Sequence, residues 1–233
     1  MSAQYIILDF EMNPVDKKNR VSTPVFREII ELGAIRLDEN FELKDEFKGF
    51  VKPMFSNSVN ERIFRMTGIT TLNILSAISL EEILSKLECW IGYEADTTVY
   101  SWSTSDRNQL AAECGAKGIA FPSNMDVWID AQEMYSKAMG SFDPSRALAL
   151  RKAAEQYGIV MDRKKSHSAL YDAKITAELV SAILSEDYKR QIPVLNRASA
   201  GKQDQFFSIG DACGSILQQF MKMTSQSEAS YAQ

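Results

Sequence analysis

The chain has 233 residues, which suits one α/β domain with elaborations better than two full domains. Apolar residues make up 45% and charged residues 24%, ordinary values for a globular protein with a sizeable core. The net charge of −5 argues against a protein that coats long duplexes through a basic stripe, but leaves open one that grips a few nucleotides in a pocket.

The elements follow in chain order. Gln4 to Leu8 is rich in β-branched and aromatic residues and predicts a buried strand that ends at Leu8-Asp9-Phe10-Glu11. Glu28 to Leu37 and Phe41 to Val51 predict two more strands, turned at Asp38-Glu39-Asn40, so the first three strands form an antiparallel meander. Asn60 to Met66 predicts a helix stopped by Gly68. Leu80, Ile83, Leu84, Leu87 and Ile91 recur at helical spacing, with Ser79 as N-cap and Gly92 as stop. Thr97 to Trp102 predicts a strand, and Ser105 to Ala116 a helix capped by Ser105. A short strand over Asp126 to Ile129 leads into a helix through Met139. Helices over Pro144 to Tyr157 and Ser168 to Leu184 complete a domain placed at residues 1–190. Residues 191–233 form an extension with one helix, Phe206 to Met223, and a loose end. The order of strands and helices predicts an α/β fold with a mixed sheet.

Three cysteines, Cys89, Cys114 and Cys213, include no Cys-x-x-Cys pair and read as reduced thiols of a cytoplasmic protein. Tyr5 to Leu8 is too short for a signal peptide, and no window approaches a membrane span. A second copy of the chain stays open as a partner.

Three separated blocks carry the chemistry. Asp9 and Glu11 alternate onto one face of their strand, where two carboxylates repel each other unless a hard divalent cation sits between them. A solvated strand end is the plain alternative. Asp106 and Asp172 each fall in a first helical turn, where an acid is also favoured by the helix dipole alone. His167, the only histidine, precedes Asp172 by five residues and lies on the loop entering the helix. The polar flank Arg163-Lys164-Lys165-Ser166 disfavours burial in a core, and a neutral imidazole beside a metal-bound water is a good general base.

Taken together, Asp9-x-Glu11, Asp106 and His167-x-x-x-x-Asp172 resemble the three motifs of the DEDDh 3′-to-5′ exonucleases, the DnaQ-like group of the ribonuclease H superfold, over roughly residues 4 to 185. Ser168 stands where the Tyr variant of the family would carry its tyrosine, so the His variant applies. Phe26 to Gly33, Met66-Thr67-Gly68-Ile69-Thr70 and Tyr157-Gly158-Ile159 resemble the subgroup that holds the histone-mRNA and small-RNA trimming enzymes and their bacterial sporulation-inhibitor-like relatives. The residues before Asp106, Trp102-Ser103-Thr104-Ser105, depart from the Gly or Asn of many relatives. Within these 233 residues no segment reads as an accessory RNA-binding module.

The resemblance implies a ribonuclease H-like mixed five-stranded sheet, a meander plus parallel strands. It implies two Mg²⁺ or Mn²⁺ ions about 3.5–4 Å apart that clamp the scissile phosphate. Asp9, Glu11 and Asp172 would hold the first ion, Asp9 would reach the second, Asp106 would act on the second through water, and His167 would take the proton of the attacking water. The implied substrate is a single-stranded 3′ end, RNA before DNA, released as nucleoside 5′-monophosphates. Phe10, Met12, Met66, Thr67, Gly68, Ile69 and Trp102 would line the terminal nucleotide's place, with Phe10 either core or a stacking surface and Ile69 a wedge against the base. Lys17-Lys18-Arg20, Arg62-Arg65 and Arg163-Lys164-Lys165 are small basic groups, the last one placed to steer phosphates beside His167. Two rival readings stand beside this one: a DNA proofreading subunit, and an inactive module that keeps the fold to bind nucleic acid.

Overall fold

The computed structural model describes residues 2–16, 25–139, 147–162 and 165–185. Six strands, β1 (Ala3–Pro14), β2 (Arg27–Leu37), β3 (Leu43–Lys52), β4 (Ile78–Ser79), β5 (Asp96–Ser101) and β6 (Val127–Asp130), form one sheet in the order β4-β3-β2-β1-β5-β6. The β1–β2 and β2–β3 pairs are antiparallel, and β1–β5, β5–β6 and β3–β4 are parallel. The helices are α1 (Glu61–Thr67), α2 (Thr71–Leu75), α3 (Leu80–Ile91), α4 (Ser105–Lys117), α5 (Ala131–Ala138), α6 (Leu150–Tyr157) and α7 (Ala169–Leu184).

This is the expected α/β sheet with one strand more. The sixth, β4, has only two residues, too few to show a periodicity, and pairs Val51 with Ile78. The five-residue α2 is also unforeseen; its own capping box, Thr70 with Asn73, holds it. The Ser79 cap of α3 is present as a capping box with Glu82, and Gly92 ends that helix. Ser105 does not cap α4: it lies inside the helix, behind Thr104, whose side chain makes no capping bond. β3 starts two residues later than expected because Phe41 turns back at φ 62°, with Asp38 accepting from the Asn40 and Glu42 N–H groups. The helix expected from Pro144 begins at Leu150, and residues 147–149 before it are not helical. Residues 140–146 lie outside the described residues, as do the 191–233 extension with its Phe206–Met223 helix and the basic residues Lys17, Lys18, Arg20, Arg163 and Lys164.

Alternation along β1 divides the core. Ile6, Leu8 and Phe10 point to one face and pack with Leu80, Ile83, Leu84 and Leu87 of α3. Ile7 points to the other face and packs with Ile35, Tyr100, Met134, Ala173, Ala177 and Val180, under α5 and α7. Parity therefore aims Asp9 and Glu11 at α7. A buried ionic group ties β2 to α4: Lys117 Nζ lies 3.0 Å from Glu28 and 2.5 Å from Glu113, and Glu28 also accepts from the Met54 and Phe55 N–H groups. Among the described residues no helix is long and apolar enough to cross a membrane.

Candidate active site

β1 does not stop at its first carboxylate. It runs on to Pro14, paired with β2 as far as Arg27, so Asp9 and Glu11 sit inside the strand rather than at its end. The polar continuation is held by tertiary bonds that no local pattern shows. Asn13 is fully buried, donates to Ser58 O at 3.1 Å and accepts from Asn60 N at 2.8 Å. On the opposite edge, β5 pairs with β1 only from Ala3 to Ile7. Past Ile7 that edge opens into a crevice at the carboxyl ends of parallel strands, the usual place for a ligand in an open α/β sheet. Asp9 and Glu11 stand in it, and Asp106, in the first turn of α4, follows directly from β5.

The fourth carboxylate arrives on α7, and Gly33 determines how closely. Gly33 pairs across the ladder with Asp9. A Cβ at this position would lie 2.1 Å from Leu170 N and 2.3 Å from the Ala169 carbonyl carbon, so only glycine lets the α7 backbone rest on β2. Asp172 then sits beside Glu11. Ligand atoms of Glu11, His167 and Asp172 all lie within 4.8 Å of one another. His167 is exposed and holds a left-handed backbone, φ 65°, a conformation that costs a non-glycine residue about 1–2 kcal/mol and that concentrates at working sites. Its N–H donates to Asp172 Oδ2 at 3.3 Å, tying loop to helix.

Glu31 is the carboxylate that sequence reading did not assign to the site. It faces Glu11 across the β1–β2 ladder and is almost fully buried. One oxygen accepts from Ala169 N at 2.9 Å, at the start of α7, and the other meets Lys48 Nζ at 2.9 Å. Its period-two relation to Gly33, Ile35 and Leu37 on the α7 face of β2 was the available signal.

Crowding shows in the acidities. Asp9 is raised well above the usual carboxylate range, first by desolvation, then by Asp106, Glu11, Asp172 and Glu31. Glu11 is pushed up to about 8, by desolvation and then by Asp172, Glu31 and Asp106. Desolvation raises Asp106 to about 7 against hydrogen bonds from the Phe10 and Asp106 N–H groups, the nearby Arg27 charge and a bond from Ser105. Desolvation also raises Asp172, opposed by the His167 N–H. Among the described residues Asp172 Oδ1 is buried without a hydrogen-bond partner. A carboxylate cluster this crowded, with one buried oxygen left without a partner, fits a hard divalent cation.

The residues expected around the terminal nucleotide divide into two sets. Met66 and Gly68 are exposed at the end of α1, where Gly68 takes φ 73°, and Thr67 is half-buried, its hydroxyl donating to Ile63 O. Phe10 and Ile69 are 5% and 3% exposed and sit in apolar clusters, so the sheet core takes the Phe10 ring and Ile30 and Ile74 take the Ile69 side chain. Neither side chain is exposed as a stacking face or a wedge. Met12 packs against the same core as Phe10. Trp102 is bound into the α5–α6 side, its indole N–H donating to Leu148 O at 3.0 Å and its ring against Tyr135. Arg62 is exposed on α1, and Arg65 beside it is paired with Glu61.

A family model described as Exonuclease (RNase_T) matches residues 6–180. Among solved structures, the fold is similar to the nuclease domain of 3′hExo, a DEDDh family member bound to rAMP, with a TM-score of 0.68, 22% identity, and coverage of 78% of this chain and 92% of that one. It is similar to cell-death related nuclease 4, with a TM-score of 0.64, 17% identity, and coverage of 91% and 76%. It is also similar to E. coli exonuclease I in complex with a dT13 oligonucleotide, with a TM-score of 0.60, 14% identity, and coverage of 86% and 44%. The chain is 22% identical over 201 residues to the PolC-type DNA polymerase III of Staphylococcus aureus. That match takes in 86% of this chain but only 12% of the polymerase.

Proposed function

From the premise that this chain belongs to the exonuclease family whose model spans residues 6–180, we propose that it is a metal-dependent 3′-to-5′ exonuclease of the DEDDh type, acting on single-stranded ends. The observation that supports this most is the convergence of Asp9, Glu11, Asp106 and Asp172 in one crevice with His167 at its rim. We place the nuclease domain at residues 1–190, with 191–233 as an extension. A cytoplasmic setting suits the unpaired Cys89 and Cys114.

The protein's own groups divide the work. Asp9, Glu11 and Asp172 would hold one Mg²⁺ or Mn²⁺, with Asp9 reaching a second and Asp106 touching that one through water. When bound, the pair of ions would neutralise the scissile phosphate and stabilise the attacking and leaving oxygens. His167 takes the proton from the attacking water, and its exposed loop lets the imidazole reach in from solvent. Glu31 and Lys48 hold the first turn of α7, so that Asp172 and His167 keep their spacing. Met66 to Gly68 frame the terminal nucleotide with exposed backbone and side chains, while Phe10 and Ile69 back them from the core. The products are nucleoside 5′-monophosphates.

RNA is the favoured substrate, on the likeness of the Phe26–Gly33 strand to RNA-trimming enzymes and on the rAMP carried by the 3′hExo nuclease domain. The likeness to a PolC-type polymerase supports a second reading, a proofreading exonuclease for DNA. One experiment tests both. Matched 5′-labelled RNA and DNA oligonucleotides are digested with Mg²⁺ or Mn²⁺. A ladder shortening from the 3′ end, arrested by chelator and by a 3′-phosphate, is expected. Faster loss of DNA moves the assignment to proofreading. Cleavage of a circular substrate, or full activity in excess chelator, overturns the proposal.

A further inference from the structure

Beside the carboxylates lies a second, differently charged space. A cavity of about 480 Å³ runs between the end of α1 and the start of α7, lined by Thr67, Lys165, Ser166, Ser168, Leu170, Tyr171 and Lys174. Ser166 and Ser168 flank His167, and Lys174 lies two residues beyond Asp172, so the cavity begins where the catalytic loop ends. Lys48 touches one of the lining residues, its ammonium 3.5 Å from Ser168 Oγ. Lys48 is committed to buried Glu31, whereas Lys174 meets Glu46 at 2.6 Å with both side chains nearly half exposed. A pair so exposed is worth little and can exchange partners. Lys165 is exposed and has no ion pair among the described residues.

We propose that this cavity is the binding site for the phosphodiester immediately upstream of the scissile bond, with Lys165 and Lys174 as its cationic contacts. The inference rests on the exonuclease reading of the adjoining site. Four carboxylates, Asp9, Glu11, Asp106 and Asp172, line the crevice itself and repel any phosphate not neutralised by bound cations. The chain as a whole is at −5, so long-range attraction does not hold the strand. The anchor for the remaining backbone must be local and cationic, and among the described residues this cavity sets two lysines beside the loop that carries His167. Its volume falls in the range of small-ligand clefts. Tyr171 contributes a fixed wall, since its hydroxyl oxygen accepts from Asp162 N at 2.7 Å.

Substrates of two lengths separate this idea from the one beneath it. The 4-nitrophenyl ester of thymidine 5′-monophosphate has a single phosphate and fills only the terminal place. A single-stranded tetranucleotide adds upstream phosphates. The double variant Lys165→Gln/Lys174→Gln should lose at least fivefold more kcat/KM on the tetranucleotide than on the ester. Its salt dependence should flatten as well. One lost phosphate contact on a single strand reduces the log–log slope by about 0.7, so between about 50 and 200 mM salt the wild type should fall roughly 2.6-fold further than the variant. Lys86→Gln, on the opposite face of the sheet in α3, controls for the loss of a positive charge remote from the cavity. Equal losses on both substrates place the lysines at the terminal nucleotide and overturn the proposal, as does an unchanged slope. A wild type inert on both substrates overturns the exonuclease reading itself.

Discussion

Gly33→Ala is a one-carbon test of how the site is assembled. The new Cβ would lie 2.1, 2.3 and 2.5 Å from Leu170 N, Ala169 C and Leu170 Cα. All three are backbone atoms, so no side chain can swing aside. Restoring an ordinary contact of 3.4 Å requires the first turn of α7 to lift by about 1.3 Å. Asp172 and His167 travel with that turn, while Asp9 and Glu11 stay with the sheet. A misplacement of about 1 Å costs on the order of 10²-fold in rate, so kcat on the 4-nitrophenyl ester should fall about 100-fold. The overpacking should cost about 1–3 kcal/mol. For a domain of this size each kcal/mol lowers Tm by roughly 2–4 °C. Steady-state kinetics and a thermal melt read both effects. Gly115→Ala is the control, since a Cβ there meets nothing within 4 Å and a mid-helix Gly-to-Ala change should stabilise. A folded Gly33→Ala protein with kcat within about threefold of wild type would refute the claim that glycine sets the approach of α7.

His167→Ala should lower turnover by about 10²–10⁴-fold with little change in substrate binding. The chain has one histidine, so a mutant that keeps the wild-type turnover shows His167 to be a structural loop residue. Asp9→Asn should abolish hydrolysis yet raise Tm in chelator, because Asp9 is repelled by Asp106, Glu11, Asp172 and Glu31; a lowered Tm counts against that crowding. Without divalent cations, stability should fall as pH rises. Glu11 and Asp106 carry folded-state values of about 8 and about 7, above their ordinary 4.5 and 3.8, so their contribution is complete below the ordinary values and is lost as pH passes through 7 and 8. Melts from pH 5 to 8 check this, and a steeper profile in Glu11→Gln than in wild type would contradict it. Glu31→Ala leaves the Ala169 N–H and the Lys48 ammonium unpaired and should cost about 1–3 kcal/mol together with a drop in kcat, read by melting and by ester hydrolysis; wild-type values for both would make Glu31 a bystander.

What could be read from sequence was what repeats along one element. The apolar spacing of Leu80 to Ile91, bracketed by Ser79 and Gly92, predicted α3 to the residue because cap, period and stop are all local. Alternation placed Asp9 and Glu11 on one face for the same reason. The unread parts depend on a second element. β4 exists only because Ile78 finds Val51, and the polar half of β1 is strand only because β2 pairs with it and Asn13 reaches Ser58. Glu31 and Gly33 looked like ordinary strand residues until the ladder set them opposite Glu11 and Asp9. The local rules broken at this place all serve one arrangement. Two strands present acids to each other across a ladder, a glycine interrupts a β-rich run, and a histidine takes a left-handed backbone. Each carries a cost that an apolar residue or a relaxed turn would avoid. The costs meet in one crevice, and a divalent cation offsets the largest of them, the mutual repulsion of the carboxylates. Metal affinity and instability of the empty site are therefore the same energy seen from two states, and a substitution that relieves one must weaken the other.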